Sequence, residues 1–198
     1  MKEVLISKGM NRKLAKHVGV FNLPQGTTCP GKTRLCAEVC YAKKSQRMYK
    51  SARLKRESNL VQSRQKGFAA RMIKEITTRK FTHVRFHESG DAYNQPYLDK
   101  LFEVCRSKPD VRFLMYTKSF HLNWVDRPAN LIVYWSVDCT SNAGTLPAQG
   151  LRAYTVAKGE KIPLLGYTTC VHVAAQNYCA GECSICWVGV SNVYFPQH

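Results

Sequence analysis

Hydrophobic residues recur along this chain with two spacings, which predict where helices and strands alternate. Between residues 52 and 78 there is no Pro and only one Gly, and apolar residues are seven and then four positions apart. This spacing predicts one long helix that packs on an apolar stripe and turns its Lys and Arg outward. The stripe consists of Leu54, Val61, Phe68, Met72 and Ile76. A second helix is predicted over 95–107, and a short basic helix over 4–16.

Short apolar runs between these segments predict strands. The run at 131–137 is almost continuously apolar, which is typical of a strand buried in a parallel sheet. The other runs are 18–23, 81–86, 111–116, 151–156 and 168–173. Strands that alternate with helices or short connectors indicate a single α/β domain with a parallel sheet. We expect this sheet to be partly open, like a fraction of a (β/α) barrel.

Charge adds a candidate partner to this fold. The 198 residues carry a formal net charge of +17, with 30 Lys and Arg against 13 Asp and Glu. Residues 43–80 hold thirteen basic and two acidic residues, whereas residues 81–198 hold ten basic and nine acidic. This basic helical segment predicts nucleic acid as a partner, although a solvated face that keeps the protein soluble is the alternative. The candidate phosphate contacts are Lys50, Arg53, Lys55, Arg56, Arg64, Lys66, Arg71 and Lys74.

Nine cysteines add a candidate metal centre. The first residues are not apolar enough for a signal peptide, and no run approaches about 18 apolar residues. We therefore expect a cytoplasmic protein without a membrane span. In a reducing compartment, and with an odd number of thiols, metal ligation is a better account than a disulfide framework.

Seven of the cysteines form two closely spaced sets. Cys29, Cys36 and Cys40 follow the pattern C-x6-C-x3-C in a segment rich in Gly and Pro, which predicts a loop that wraps its thiols around one centre. A cysteine-rich C-terminal segment, 168–198, is expected to close on the same metal site. Its thiols are Cys170, Cys179, Cys183 and Cys186. Of the other two, Cys105 is expected to be buried in a helix and Cys139 to end a strand.

Polar residues follow each of the first predicted strands, and in a parallel sheet these positions share one edge. Cys29 follows the first strand, residues 87–91 the second, residues 117–119 the third and Asp138 the fourth. Asp91 and Asp138 are functional candidates, although polar residues in loops also serve turns. His87 is either a neighbour or ligand of the metal centre or a hydrogen-bonded structural histidine.

Several motifs resemble a known family over most of residues 20–188. They resemble the gene product 88-like proteins of bacteriophages, which implies a phage protein acting in the host cytoplasm. The motifs are Phe21-Asn-Leu-Pro24, Thr28-Cys-Pro30 with Cys36, Cys40-Tyr-Ala42, Ser89-Gly-Asp91, Tyr116-Thr117 and Cys183-x-x-Cys186-Trp187.

A more distant resemblance is to the radical S-adenosylmethionine enzymes. In those enzymes three cysteines in a loop after the first strand bind a four-iron four-sulfur cluster, and the open fourth iron binds S-adenosylmethionine. The resemblance implies cofactor contacts at Ser89, Gly90 and Asp91. The spacing C-x6-C-x3-C departs from the C-x3-C-x2-C of that family, and Glu88-Ser-Gly-Asp91 stands where that family has a Gly-Gly-Glu type turn.

Two metals and three functions remain open at this point. A [4Fe-4S] cluster on Cys29, Cys36 and Cys40 needs a fourth ligand from the C-terminal set, whereas that set alone has the four thiols of a zinc site. A second metal, zinc or iron-sulfur, is also open. The expected function is a cluster-bearing phage protein that binds nucleic acid. The alternatives are a radical S-adenosylmethionine enzyme and a structural zinc adaptor for a host protein.

Overall fold

The computed structural model describes residues 4–9, 14–160, 166–170, 180 and 183–195, and within them one sheet of eight strands runs through the chain. The strands are β1 (Ser7–Lys8), β2 (Val18–Phe21), β3 (His83–Phe86), β4 (Arg112–Thr117), β5 (Leu131–Asp138), β6 (Leu151–Thr155), β7 (Tyr167–Thr169) and β8 (Asn192–Phe195). The helices are α1 (Arg34–Glu38), α2 (Tyr41–Met48), α3 (Lys50–Arg64), α4 (Phe68–Thr78), α5 (Gln95–Ser107), a 3-10 turn (Ala143–Thr145) and α6 (Ile185–Val188).

The sheet is parallel except at one edge. Its order is β1-β2-β3-β4-β5-β6-β8-β7, and only the short β1 pairs antiparallel with its neighbour among these strands. Phe21 of β2 pairs with Phe86 of β3, which pairs with Met115 of β4, so the carboxyl ends of these strands lie together. The predicted parallel α/β sheet is confirmed.

Side chains on the two faces of the sheet form two apolar clusters. On the first face, α4 and α5 bury Met72, Ile76 and Leu101 against Phe86 and Phe113 of the sheet. On the second face, a smaller cluster places Leu114 and Tyr134 of the sheet against Trp187 of α6. The larger cluster fixes the strands whose carboxyl ends carry the candidate site.

The prediction of one helix over 52–78 is wrong, because the chain leaves the helical path between α3 and α4. Gln65 has an extended backbone (φ −72°, ψ 148°), and α4 begins after Gly67. The predicted burial of Phe68, Met72 and Ile76 is confirmed for α4.

The orientation of α3 also differs from the prediction, because Leu54 and Val61 are 50% and 55% exposed. The buried face of α3 is polar instead and carries Arg56, Asn59 and Ser63. Asn59 explains part of this orientation, since its amide donates to the carbonyls of Leu5 and Asn22 at 3.2 and 2.9 Å. Satisfying these buried carbonyls outweighs the burial of two aliphatic side chains.

Two further local predictions are corrected. Residues 4–9 and 14–16, the described parts of the predicted N-terminal helix, contain β1 and no helix. Glu75 instead accepts hydrogen bonds from the amides of Leu5 and Ile6 at 2.8 and 3.0 Å. The predicted loop around the first cysteines contains α1, and α2 begins directly after Cys40. None of the helices in the described ranges combines the length and apolarity that crossing a membrane requires.

Candidate functional site

The carboxyl ends of β2 to β5 form a single edge, here called the rim, as the sequence predicted. The segment 24–40 after β2, here called the cysteine loop, packs against the loops that follow β3, β4 and β5. Parallel pairing in register brings these four chain segments to the same height. The rim is therefore where the candidate cysteines and acidic residues can meet.

Asp91 joins the loops after β3 and β4. Its carboxylate accepts hydrogen bonds from the Ala92 amide at 2.7 Å, the Thr117 hydroxyl at 2.7 Å and the Lys118 amide at 2.9 Å. Burial raises the pKa of Asp91 to about 6, although these hydrogen bonds act in the opposite direction. Asp91 thus holds the start of the 118–119 loop in place on the rim.

Lys118 and Asp138 form a buried ion pair at the ends of β4 and β5. The ammonium of Lys118 lies 2.7 Å from Asp138 Oδ2 and 3.0 Å from the carbonyl oxygen of Ser136. Asp138 also accepts from the Thr33 hydroxyl at 2.6 Å and from the amide and hydroxyl of Thr140 at 2.9 and 2.6 Å. Burial alone would raise the pKa of Asp138, but these donors hold it below its ordinary value.

Two contacts dock the cysteine loop on this ion pair. Thr33 donates to Asp138 and accepts from the Cys36 amide at 3.2 Å as the N-cap of α1, so β5 fixes the start of the helix that carries Cys36. Gly31 lies so close to Lys118 that a Cβ at position 31 would be 1.9 Å from the Lys118 carbonyl oxygen. The loop therefore reaches the rim only with Gly at position 31.

The thiols of Cys36 and Cys40 lie close enough to Cys29 to affect its ionisation. Burial raises the pKa of Cys29 to about 11, and the charges of Asp91, Cys36 and Cys40 add to that rise. Burial also raises the pKa of Cys36, whereas the nearby cation of Lys118 lowers it. Over the described ranges, no group of three or more His, Cys, Asp or Glu side chains is arranged to hold a metal ion. The metal assignment stays a prediction.

The C-terminal cysteines fall in different parts of the structure. Cys170 follows β7, and its amide donates to the Tyr194 carbonyl at 3.1 Å. Cys186 lies in α6, where its thiol interacts with the Tyr116 hydroxyl on the second face of the sheet. Cys183 precedes α6, and Cys179 lies outside the described residues. Cys36 and Cys40 thus lie near enough to Cys29 to affect its pKa, and the part each C-terminal cysteine would take in a metal site stays a prediction.

Comparison with known sequences decides the family. The family described as Gene product 88 matches residues 4–188. This chain belongs to the gene product 88 family. The family assignment confirms the first resemblance seen in the sequence motifs, whereas no comparison supports the resemblance to radical S-adenosylmethionine enzymes.

Gene product 88 relatives occur in two mycobacteriophages. The chain is 32% identical over 155 residues to the Gene 88 protein of Mycobacterium phage L5, which covers 68% of this chain and 63% of that protein. It is 28% identical over 225 aligned positions to the Gene 88 protein of Mycobacterium phage D29, which covers 97% of this chain and 92% of that protein. No solved structure matches the sequence.

The turn after β3 is packed tightly in this gene product 88 protein. The Ser89 hydroxyl donates to the Leu23 carbonyl at 2.8 Å. Gly90 has φ +84°, and a Cβ there would lie 2.6 Å from both Leu23 Cβ and Thr28 Oγ1. Ser89, Gly90 and Asp91 therefore join the turn to the cysteine loop and to β4, and their contact with a cofactor stays a prediction.

His87 is buried beside this turn. Its Nε2 lies 2.8 Å from the hydroxyl of Tyr97, and its backbone is left-handed (φ 62°). Burial lowers the pKa of His87 to about 3, so the imidazole is neutral at physiological pH. This arrangement matches the structural alternative for His87.

The candidate phosphate contacts divide by exposure. Arg56 is buried, and its guanidinium donates to the Ala42 carbonyl at 3.2 Å and the Ser45 hydroxyl at 2.9 Å, which packs α2 on α3. Lys55 and Arg71 are partly buried. The exposed members are Lys50, Arg53, Arg64, Lys66 and Lys74. A basic surface therefore remains, smaller than the sequence predicted.

The sequence pointed to Asp91, Asp138 and the cysteines but gave no role to Thr33 or Gly31. A hydroxyl residue before a short apolar run is an N-cap signal, so Thr33 could have been found that way. The close approach of Gly31 to Lys118 has no local signal. A cavity of about 320 Å³ opens beside these residues, and Thr33, Lys118, Phe120 and His121 contribute to its lining.

Proposed function

We propose that this gene product 88 protein is a phage-type iron-sulfur protein of the host cytoplasm that associates with nucleic acid. Its [4Fe-4S] cluster would be held by Cys29, Cys36 and Cys40. The fourth ligand would come from the C-terminal set Cys170, Cys179, Cys183 and Cys186. The observation that carries the proposal is that Cys36 and Cys40 lie near enough to Cys29 to raise its pKa, on a loop that contacts Asp138 of β5 and Lys118 after β4.

The donor set suits such a cluster. Thiolates are the ligands that iron-sulfur clusters use, and all three cysteines are free and partly buried. Burial, with the nearby charges of Asp91, Cys36 and Cys40, raises the pKa of Cys29 to about 11 and keeps its thiol protonated. Cluster iron would reverse that preference, since a bound metal deprotonates a thiol.

Residues around the thiols would support the bound group. Lys118 places a buried cation near Cys36, which would offset part of the negative charge of coordinated thiolates. Thr33 fixes the backbone of α1 at Cys36, and Gly31 lets the loop approach Lys118 closely. The cluster itself would supply a covalent link between the two ends of the chain or a centre that accepts an electron.

Anaerobic purification followed by iron, sulfide and zinc analysis tests the cluster. We expect a brown protein with about four irons and four sulfides, and an electron paramagnetic resonance signal after reduction. Replacing Cys29, Cys36 or Cys40 with Ser should abolish it, whereas Cys139→Ser is a matched control because Cys139 is exposed. Single replacements in the C-terminal set identify the fourth ligand. A colourless protein with stoichiometric zinc would refute the cluster.

Nucleic-acid association is supported by the exposed basic residues of α3, α4 and the turn between them. Contacts to phosphates release counterions, so binding through about six of them should weaken about 10³-fold between 50 and 200 mM salt. Fluorescence anisotropy with a labelled oligonucleotide measures this slope. Lys66→Gln and Lys74→Gln should each make the dependence of affinity on salt less steep. Lys158→Gln should not, because Lys158 is exposed but lies outside the basic segment. Binding that ignores salt would contradict the proposal.

A further inference from the structure

Exposed apolar side chains concentrate in the most basic part of the fold. Nine large apolar side chains are strongly exposed in the described part of the chain, and five of them lie in 41–61. These five are Tyr41, Met48, Tyr49, Leu54 and Val61. Residues 41–64 also hold eight Lys or Arg against one Glu. Isolated apolar residues on a surface need no explanation, but their grouping among cations does.

The turn between α2 and α3 presents this combination most clearly, and we call residues 47–53 the α2–α3 corner. α2 ends at Met48, and Tyr49 has an extended backbone (φ −118°, ψ 100°) before α3 begins. Met48 and Tyr49 are each 58% exposed. Arg47, Lys50 and Arg53 flank them and are exposed as well.

The packing of α3 explains why these side chains face solvent. Because α3 turns Arg56 and Asn59 toward the protein, the apolar residues at its start and on its outer side have no core to enter. The exposed face therefore alternates flat or flexible apolar groups with cations. A second copy of the chain is a poor occupant, since it would bring the same cations to the same surface.

We propose that the α2–α3 corner is a base-stacking platform for single-stranded nucleic acid, with Tyr49 and Met48 against base faces and Arg47, Lys50 and Arg53 against phosphates. The proposal rests on the nucleic-acid association proposed above and names its substrate class. A single strand offers both partners, because its unpaired bases have apolar faces beside each phosphate. A duplex keeps its base faces stacked inside and would leave the corner's apolar groups unused.

An acidic protein is the competing occupant, and the arrangement of the corner favours nucleic acid over it. Protein interfaces bury a contiguous apolar core inside a polar rim. At the corner the apolar side chains stand next to cations on both sides along the chain, at Arg47, Lys50 and Arg53. That interleaving fits a polymer in which phosphates and apolar faces alternate.

Fluorescence anisotropy on the full chain tests the proposal with three probes: a labelled 20-nucleotide oligo-dT, a labelled 20-base-pair duplex and labelled poly-glutamate. We expect oligo-dT to bind at least tenfold more tightly than the other two. Tyr49→Ala should weaken oligo-dT binding about tenfold or more. Tyr49→Phe should bind oligo-dT as tightly as the wild type, because stacking needs the ring and not the hydroxyl. Val125→Ala is the matched control, since Val125 is 88% exposed and lies outside the corner.

The outcomes separate this proposal from the one on which it rests. Equal binding of oligo-dT and duplex, with Tyr49→Ala unchanged, would overturn the stacking platform and leave the phosphate-binding surface. Poly-glutamate that binds as tightly as oligo-dT would show that the corner responds to negative charge alone, as for an acidic protein, and would also overturn it. Binding to neither nucleic acid would end both the stacking platform and the nucleic-acid association on which it rests. Tyr49→Ala should retain the native circular dichroism spectrum, because its side chain is exposed.

Discussion

The buried ion pair at the rim offers the sharpest test of how the cysteine loop is held. Lys118→Met removes the ammonium but keeps most of the side-chain volume. Asp138, whose side chain is 1% exposed, then keeps its charge without its nearest cation. Because Asp138 also binds Thr33, the substitution should weaken the docking of the loop as well as the end of β5.

The size of the effect follows from the contacts that remain. Removing one partner of a buried ion pair costs about 3–5 kcal/mol. Asp138 keeps three hydrogen bonds, from the hydroxyl of Thr33 and from the amide and hydroxyl of Thr140, which still solvate its charge. We therefore expect Lys118→Met to lower the free energy of unfolding by about 3 kcal/mol, near the lower end of that range. Domains of this kind are stable by about 5–15 kcal/mol, so the loss would be large.

Urea unfolding followed by circular dichroism measures the loss, and a second ion pair supplies the control. Lys108 lies 3.3 Å from Asp110, and their side chains are 18% and 69% exposed, so the charge of Asp110 is open to solvent. Exposed pairs contribute about 0–1 kcal/mol, so Lys108→Met should change the midpoint little. Both variants remove one Lys charge, which equalises the effect on net charge.

A double-mutant cycle then isolates the pair itself. Asp138→Asn should lower the free energy of unfolding less in the Lys118→Met background than in the wild type. In that background the charge of Asp138 is unpaired and already destabilises the fold. We expect a coupling of about 1 kcal/mol or more. Additive effects, or equal losses for Lys118→Met and Lys108→Met, would refute the view that this ion pair anchors the rim.

Two other perturbations test the rim by packing and by pH. Gly31→Ala should lower the free energy of unfolding by about 1–3 kcal/mol, because its Cβ would meet the Lys118 carbonyl. Gly67→Ala has open space and loses only a glycine N-cap, so it should cost about 0.5 kcal/mol. Equal midpoints of the two variants in urea would contradict the close approach. Burial raises the pKa of Asp91 from 3.8 to about 6, so between those values the folded state holds the extra proton and stability rises as pH falls. Burial lowers the pKa of His87 from 6.5 to about 3, so over the same range the unfolded state holds the extra proton and stability falls. Asp91→Asn should therefore steepen the loss of stability as the pH falls from about 6 to 4. His87→Gln should make that loss shallower. The reasoning is refuted if the free energy of unfolding in urea depends on pH in the same way for both variants.

The sequence predicted the sheet well because apolar runs mark buried parallel strands directly. The run at 131–137 corresponds to β5, and helix 95–107 matches α5 at both ends. The rim followed from the same signal, since polar residues after parallel strands must share an edge. β8 was missed because Asn192–Phe195 is a short run. Of its two partners, β6 is far from it in the chain and β7 is itself short.

The orientation of α3 could not be predicted from its own residues. Leu54 and Val61 fit an inward stripe by spacing, but Asn59 binds carbonyls of Leu5 and Asn22, which lie 54 and 37 residues away in the chain. Tertiary hydrogen bonds of this kind override local periodicity. The same holds for Gly31, whose role depends on the backbone of Lys118. The residue types near the site could be predicted from the sequence, whereas the long-range contacts that hold the cysteine loop and α3 in place could not.

The hydrogen bond between Thr33 and Asp138 joins positions 105 residues apart, and this separation matters while the chain is being made. A ribosome adds about 5–20 residues per second, so the cysteine loop emerges roughly 5–20 s before β5 exists to receive it. During that interval the three thiols are on a nascent chain whose rim has not yet formed. Order of synthesis thus sets a window in which these thiols meet cellular iron, zinc or oxidants before the fold can shelter them.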